Sequence, residues 1–304
     1  MRVGFLGLGV MGTPMALSVS RKFPLTVWNR SPSKYPPLVQ SGAKTAATPS
    51  QVVRDSDIVF MMLFDEQTIR TIFTDDVRQA FRNKTLVNSS SVSVEFSRYL
   101  SEEMRNAGGD FVEMPVSGSK VPAEQGRLVG MMAGDPAVAE RIRPYVEPMT
   151  NAAVYCGPIG SGLKTKYAVN NFLITMTVGL AESMNLAQAQ GLDLGAFGQV
   201  LDAGPMASAY STLKVGKMLR QDWSAQAGIK DCYNSTQLIQ AAAKEADTKA
   251  PFIQLCGALY KQAIESGLGD EDMISVVKCL AGSSGPQITP ESSETHPSAG
   301  RLLT

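Results

Sequence analysis

The stretch GFLGLGVMGTPMA, residues 4–16, constrains the fold of this chain more than any other. Its glycines, Gly4, Gly7, Gly9 and Gly12, stand where a hydrophobic core ought to begin. Arg2 to Leu6 reads as a short buried strand. Met11 to Lys22 reads as a helix, with Pro14 in its first turn, where proline is tolerated. Gly7, Gly9 and Gly12 therefore form G-x-G-x-x-G between a strand and a helix. The first glycine permits a tight turn, the second lets a pyrophosphate approach the backbone, and the third lets helix and strand pack closely. The helix N-terminus then faces the phosphates. The motif alone is a weak signal with a plain terminal loop as its alternative; flanked in this way, it points to dinucleotide binding.

The rest of the first half supports that reading. Short apolar segments at 25–29, 57–63, 85–90, 110–116 and 128–134 read as strands, many buried on both faces. Between them, helices are expected at 36–42, 49–54, 66–73, 93–107 and 136–147. The alternation predicts a doubly wound, mostly parallel α/β sheet. Beyond about residue 163 strand signals vanish. Residues 164–280 are rich in Ala, Leu, Gln and Met with helical periodicity, opening on a long helix over 164–191. The expected organisation is a dinucleotide-binding Rossmann domain over 1–163 and an all-helical substrate and dimerisation domain over 164–282. Residues 283–304, rich in Ser, Pro, Thr and Glu, are expected to be a disordered tail.

Composition excludes several classes. At 44% hydrophobic and 18% charged, 304 residues suffice for one large or two medium cores. The charges balance to +0 with no basic block, so no nucleic-acid partner is expected. The glycines interrupt any signal-peptide apolar core, and the longest apolar run, Phe172 to Leu180, is too short to cross a membrane. Cys156, Cys232, Cys256 and Cys279 form no C-x-x-C and read as reduced core thiols of a cytoplasmic protein. The single histidine, His296, lies in the tail, so no metal site is expected and proton transfer falls to another residue type.

At the end of the second strand, where an NAD site carries an acidic residue, the sequence is VWNRSPSK. Asn29, Arg30 and Ser31 take that place. A carboxylate would repel a 2′-phosphate and an arginine attracts one, so NADP(H) is expected over NAD(H). At the domain junction, GPIGSGLKTKYAVNNF (157–172) carries two lysines and two asparagines. Lys166 and Asn170, at i and i+4, share a helix face. A buried lysine there would have its pKa lowered toward neutrality and could protonate a carbonyl oxygen. Lys164 and Asn171 share a face too, and spacing does not choose between the pairs. Ser117, Gly118 and Ser119 follow a strand at the carboxyl edge of the sheet and could offer hydroxyls and N–H groups to a carboxylate. Lys230-Asp231 is a third polar island.

Together these segments resemble the β-hydroxyacid dehydrogenase family, over roughly residues 1–280. GFLGLGVMG resembles its cofactor loop and PVSGSKVPAEQGRL its substrate stretch, as found in the glyoxylate/succinic semialdehyde reductases. GSGLKTKYAVNN resembles its catalytic G-x-G-x-x-x-K segment, IKDCYN its K-D segment and GLGDEDMISVV its last-helix signature. The resemblance implies that Lys166 is the catalytic lysine and Asn170 its partner, with Ser117, Gly118 and Ser119 as the substrate loop. It implies a cofactor site from Gly7, Leu8, Gly9, Val10, Met11, Gly12, Asn29, Arg30, Ser31, Leu63 and Ser91, Ser91 standing where a threonine touches the nicotinamide end. Lys230 matches a lysine lining the closed cleft, facing both cofactor and substrate. Homodimers or homotetramers through the helical domain are implied as well. Asn88 departs from the usual aspartate, Ser119 from a glycine, Phe64 from a proline and Val169 from an asparagine.

The activity so implied is NADPH-dependent reduction of a small carboxylate-bearing aldehyde or 2-oxo acid, with Lys166 as general acid. The alternatives are imine reduction on the same scaffold, oxidation of a β-hydroxy acid, or a non-catalytic NADP(H)-binding module.

Overall fold

The computed structural model describes residues 1–280; the expected tail and His296 lie outside the described residues. Val3–Leu6 forms β1, every residue of it buried, and the chain turns through the glycines into α1 (Gly12–Ser20). Then come β2 (Leu25–Trp28), α2 (Pro36–Gln40), β3 (Lys44–Thr45), α3 (Pro49–Asp55) and β4 (Ile58–Met61). After these follow α4 (Glu66–Ile72), α5 (Asp75–Ala80), β5 (Thr85–Asn88), α6 (Val94–Asn106), β6 (Asp110–Glu113) and β7 (Val116–Ser117). The half closes with α7 (Lys120–Glu124), β8 (Leu128–Gly134), α8 (Pro136–Val146) and β9 (Thr150–Gly157). Local chemistry sets the helix starts. Proline opens α2, α3 and α8, where its missing N–H costs nothing. Asp65, Ser93 and Asp135 cap α4, α6 and α8 with side-chain oxygens.

The sheet runs β3-β2-β1-β4-β5-β6, all parallel, which is the doubly wound Rossmann order. β6 and β7 then pair end to end, antiparallel, along β8, and β9 pairs parallel to β8. β3, α5, α7 and β9 have no counterpart among the sequence expectations. β9 reads TNAAVYCG, a half-exposed strand whose register slips twice against β8, so neither an apolar run nor a clean alternation marks it.

The helical half begins with α9 (Ser161–Ala189), three residues ahead of the expected start. It continues through α10 (Leu194–Ala203), α11 (Ala209–Leu219), α12 (Ile229–Glu245) and α13 (Pro251–Glu265) to a 3-10 turn at Met273–Cys279. α9 buries Leu163, Tyr167, Ile174, Val178, Ala181 and Met184, a stripe at helical spacing. These side chains join Leu6, Val59 and Leu86 of the sheet and Ile253, Cys256 and Tyr260 of α13 in one continuous core. The other sheet face packs a separate core around Phe5, Met15, Val27 and Phe60. α9 is thus held by both halves, and its first turns lie against β7 and β8. All four cysteines are free; Cys232 and Cys256 are buried, whereas Cys156 and Cys279 are half-buried and only partly core residues.

Candidate active site

The three glycines of the first loop do different work. A Cβ on Gly7 would lie 2.2 Å from Met62 O, and one on Gly12 would lie 2.0 Å from Gly7 O, so close backbone approach requires both glycines. Gly7 also holds φ +96, a conformation that favours glycine. Gly9 is unlike them, because nothing lies within 4 Å of its Cβ position. The fold does not need that glycine, but a phosphate resting on the backbone does. Met11 stands at the α1 N-cap and supplies no side-chain acceptor, so the helix N-terminus is uncapped. The loop, Gly7, Leu8, Gly9, Val10, Met11 and Gly12, therefore fits a dinucleotide pyrophosphate.

Asn29, Arg30 and Ser31 divide at the end of β2. Asn29 Oδ1 accepts from Leu8 N at 2.9 Å and its Nδ2 donates to Ser31 O at 3.1 Å. Its backbone N–H and C=O both bond the Tyr35 hydroxyl. Asn29 thus braces the glycine loop, while Arg30 and Ser31 are exposed and Arg30 has no ion pair among the described residues. Leu63 reaches within 2.8 Å of the Gly7 Cβ position, and Ser90 Oγ holds its N–H at 2.9 Å. Ser91, half-buried, precedes Val92, whose carbonyl accepts from the Tyr167 hydroxyl at 2.5 Å. That bond ties the loop after β5 to the residue following Lys166.

The structure separates the two lysine–asparagine pairs. Lys166 is buried and Asn170 half-buried on the inner face of α9, whereas Lys164 and Asn171 are exposed. Lys166 makes no ion pair or hydrogen bond among the described residues, and burial pulls its pKa down to about 8. Asn170 Nδ2 lies 3.3 Å from Ser235 Oγ on α12.

The geometry of α9 rests on a residue that sequence reasoning missed. Glu113, the last residue of β6, is fully buried. Its Oε1 accepts from the N–H groups of Gly160, Gly162 and Leu163 at 2.8, 2.9 and 3.2 Å, and its Oε2 accepts from Ser97 Oγ at 2.5 Å. A carboxylate at the start of a helix satisfies otherwise unpaired N–H groups and complements the helix dipole. The available signal was a lone carboxylate inside the apolar run DFVEMPV. Gly162 is required as well, because a Cβ there would lie 2.4 Å from Met131 O on β8.

The turn after β7 carries Ser117 and Ser119, whose hydroxyls have no hydrogen-bond partner among the described residues, on either side of Gly118 at φ +124. Lys120 N donates to Gln226 O at 3.3 Å, bringing this turn against the loop before α12. Two buried lysines of α11 hold that loop, and the sequence marked neither. Lys214 pairs with buried Asp272 at 2.6 Å; Asp272 also accepts from Gln226 N, and Lys217 donates to Ser224 O at 2.9 Å. Lys230 is placed differently. It is exposed at the start of α12, its stem lies over Gly269, and its ammonium pairs with Asp270 at 2.7 Å.

A Rossmann sheet with a glycine loop fitted to a dinucleotide, set beside a buried lysine on a helix shared by both halves, defines a nicotinamide-dependent oxidoreductase. Comparison with known proteins narrows the class. Residues 2–157 match the NAD-binding domain of 6-phosphogluconate dehydrogenase, and residues 160–280 match the NAD-binding domain of NADP-dependent 3-hydroxyisobutyrate dehydrogenase. Chloroplastic glyoxylate/succinic semialdehyde reductase 2 of Arabidopsis thaliana is 33% identical over 91% of this chain and 79% of its own length. Glyoxylate/succinic semialdehyde reductase 1 of the same plant is 32% identical over 92% of this chain and 98% of its own. The fold matches the crystal structure of 3-hydroxyisobutyrate dehydrogenase from Salmonella typhimurium with TM-score 0.85, covering 92% and 99% of the two chains at 21% identity. The chain belongs to the β-hydroxyacid dehydrogenase family.

Proposed function

We propose that this protein is an NADPH-dependent reductase of small carboxylate-bearing aldehydes or 2-oxo acids, of the glyoxylate and succinic semialdehyde type. One observation carries the reading: a buried lysine with no counter-ion among the described residues, on the inner face of the helix that both halves hold. A structural lysine would be exposed or paired; Lys166 is neither, and a pKa near 8 suits a proton donor at neutral pH. The dinucleotide, when bound, supplies the hydride. Lys166 gives its proton to the carbonyl oxygen and Asn170 holds that oxygen. The hydroxyls of Ser117 and Ser119 and the turn at Gly118 receive the substrate carboxylate. Ser91 stands at the nicotinamide end. Lys230 leaves Asp270 to reach cofactor or substrate when the cleft closes, since an exposed pair of this kind is worth little. Arg30, exposed beside Ser31 and without an ion pair among the described residues, favours NADPH over NADH.

Phe172 and Leu186 of α9 and Phe252 and Leu255 of α13 are exposed, which supports assembly of a homodimer or homotetramer through the helical domain. Cytoplasmic residence is part of this reading; among the described residues no helix is long and apolar enough to cross a membrane.

The test is oxidation of NADPH and NADH with glyoxylate and succinic semialdehyde, wild type beside Lys166→Ala. Turnover with NADPH that the variant loses, while it still binds NADPH, is the expected outcome. A wild type that reduces neither aldehyde overturns the substrate assignment. Turnover of a cyclic imine alone would replace it with imine reduction.

A further inference from the structure

Asn170 carries an imbalance. Its Nδ2 is placed 3.3 Å from Ser235 Oγ, a long contact, while its Oδ1 is buried without a hydrogen-bond partner among the described residues. A buried amide oxygen without a donor is costly. The side chain it meets is a hydroxyl, which donates as well as accepts. Turning the carboxamide by half a revolution about its Cβ–Cγ bond gives the oxygen a donor and leaves the amide N–H groups open to an acceptor on a ligand. Oδ1 then receives the Ser235 proton, and Nδ2 moves to the side that Oδ1 occupied.

The two orientations are not equivalent for carbonyl reduction. The substrate oxygen gains negative charge as it is reduced, and donors stabilise it. An amide oxygen facing it would repel it. An N–H group there would add a second donor beside Lys166 Nζ, which lies one helical turn earlier on the same face. The α12 helix packs along α9, so Ser235 is fixed opposite Asn170 by the helix pair itself.

We propose that Ser235 is a positioning residue: its hydroxyl donates to Asn170 Oδ1 and thereby aims Asn170 Nδ2 at the substrate carbonyl oxygen. The inference rests on the reductase reading above. It assigns to α12 a part in the reaction distinct from that of Lys230.

A double-mutant cycle tests it. The kcat and KM for glyoxylate and the affinity for NADPH are measured in wild type, Ser235→Ala, Asn170→Ala and the double variant, with Ser235→Thr as the conservative control. Ser235→Ala is expected to lower kcat by about tenfold, the scale of one lost hydrogen bond in the transition state, with NADPH affinity unchanged. The same change made in Asn170→Ala is expected to cost nothing further, because the residue being positioned is gone. Ser235→Thr retains the hydroxyl and most of kcat. An active wild type whose kcat survives Ser235→Ala overturns the assignment, as does an equal loss in the Asn170→Ala background. A wild type that reduces no carbonyl overturns the reductase reading first and this inference with it.

Discussion

Glu113 Oε1 and the Gly162 N–H are 2.9 Å apart, and this bond joins the last strand of the parallel sheet to the first turn of the helix that carries Lys166. The same oxygen holds Gly160 and Leu163, so one carboxylate sets where α9 begins. Removing it by Glu113→Ala leaves several buried donors without an acceptor and is expected to cost about 3 kcal/mol or more in urea unfolding. Burial raises the Glu113 pKa above the usual 4.5, against the pull of its hydrogen bonds to Ser97, Leu163, Gly160 and Gly162. The folded state then holds this proton more tightly than the unfolded one. Its contribution to stability is complete below pH 4.5 and declines as pH rises toward the folded value. Glu113→Gln, which cannot ionise, is expected to flatten that decline; an unchanged pH profile would refute it.

Lys166 makes the opposite case at the other end of the pH scale. Burial lowers its pKa from 10.5 to about 8, so its charged form is disfavoured in the fold. Stability is complete above pH 10.5, falls as pH drops from 10.5 to about 8, and is level below that, where the buried charge costs about 3 kcal/mol. Lys166→Met is therefore expected to raise the melting temperature at pH 7 while abolishing turnover, with the gain fading toward pH 10.5. If Lys166 donates the proton as proposed, wild-type kcat is expected to fall above about pH 8, as its ammonium deprotonates. A variant less stable than wild type at pH 7 would count against an unpaired buried ammonium.

Gly9 and Gly12 are expected to part company under substitution. Gly9→Ala adds a Cβ with no atom within 4 Å and leaves melting unchanged, yet it weakens dinucleotide binding by about tenfold or more. Gly12→Ala drives a Cβ to 2.0 Å from Gly7 O and lowers the melting temperature itself. Calorimetry of folding and of NADPH binding on both variants separates the two roles.

Arg30→Ala is expected to raise KM for NADPH by about tenfold while leaving that for NADH nearly unchanged, since only NADPH carries the ribose 2′-phosphate. Asn29→Ala is expected to weaken both cofactors alike, because Asn29 holds Leu8 of the glycine loop rather than a phosphate. Equal losses for the two cofactors in Arg30→Ala would count against the proposed preference for NADPH.

Much of the fold was legible in the sequence because its cause is local. The G-x-G-x-x-G spacing, the buried β-branched strands and the prolines opening α2, α3 and α8 each act within a few residues. From these the Rossmann sheet and the helical second half could be read without tertiary information. β9 escaped because its strand character comes from pairing with β8, and its own residues are small and half-exposed. The site divides along the same line. Spacing left two lysine–asparagine pairs on α9, and only packing buried Lys166 and exposed Lys164. Glu113 meets Gly160 across 47 residues, Lys214 meets Asp272 across 58 and Asn170 meets Ser235 across 65. No periodicity or motif encodes such meetings. The sequence by itself determined most of the regular elements and the strand–glycine loop–helix unit at the start of the chain. The tertiary structure decided which ammonium loses its water, because desolvation depends on everything folded around it.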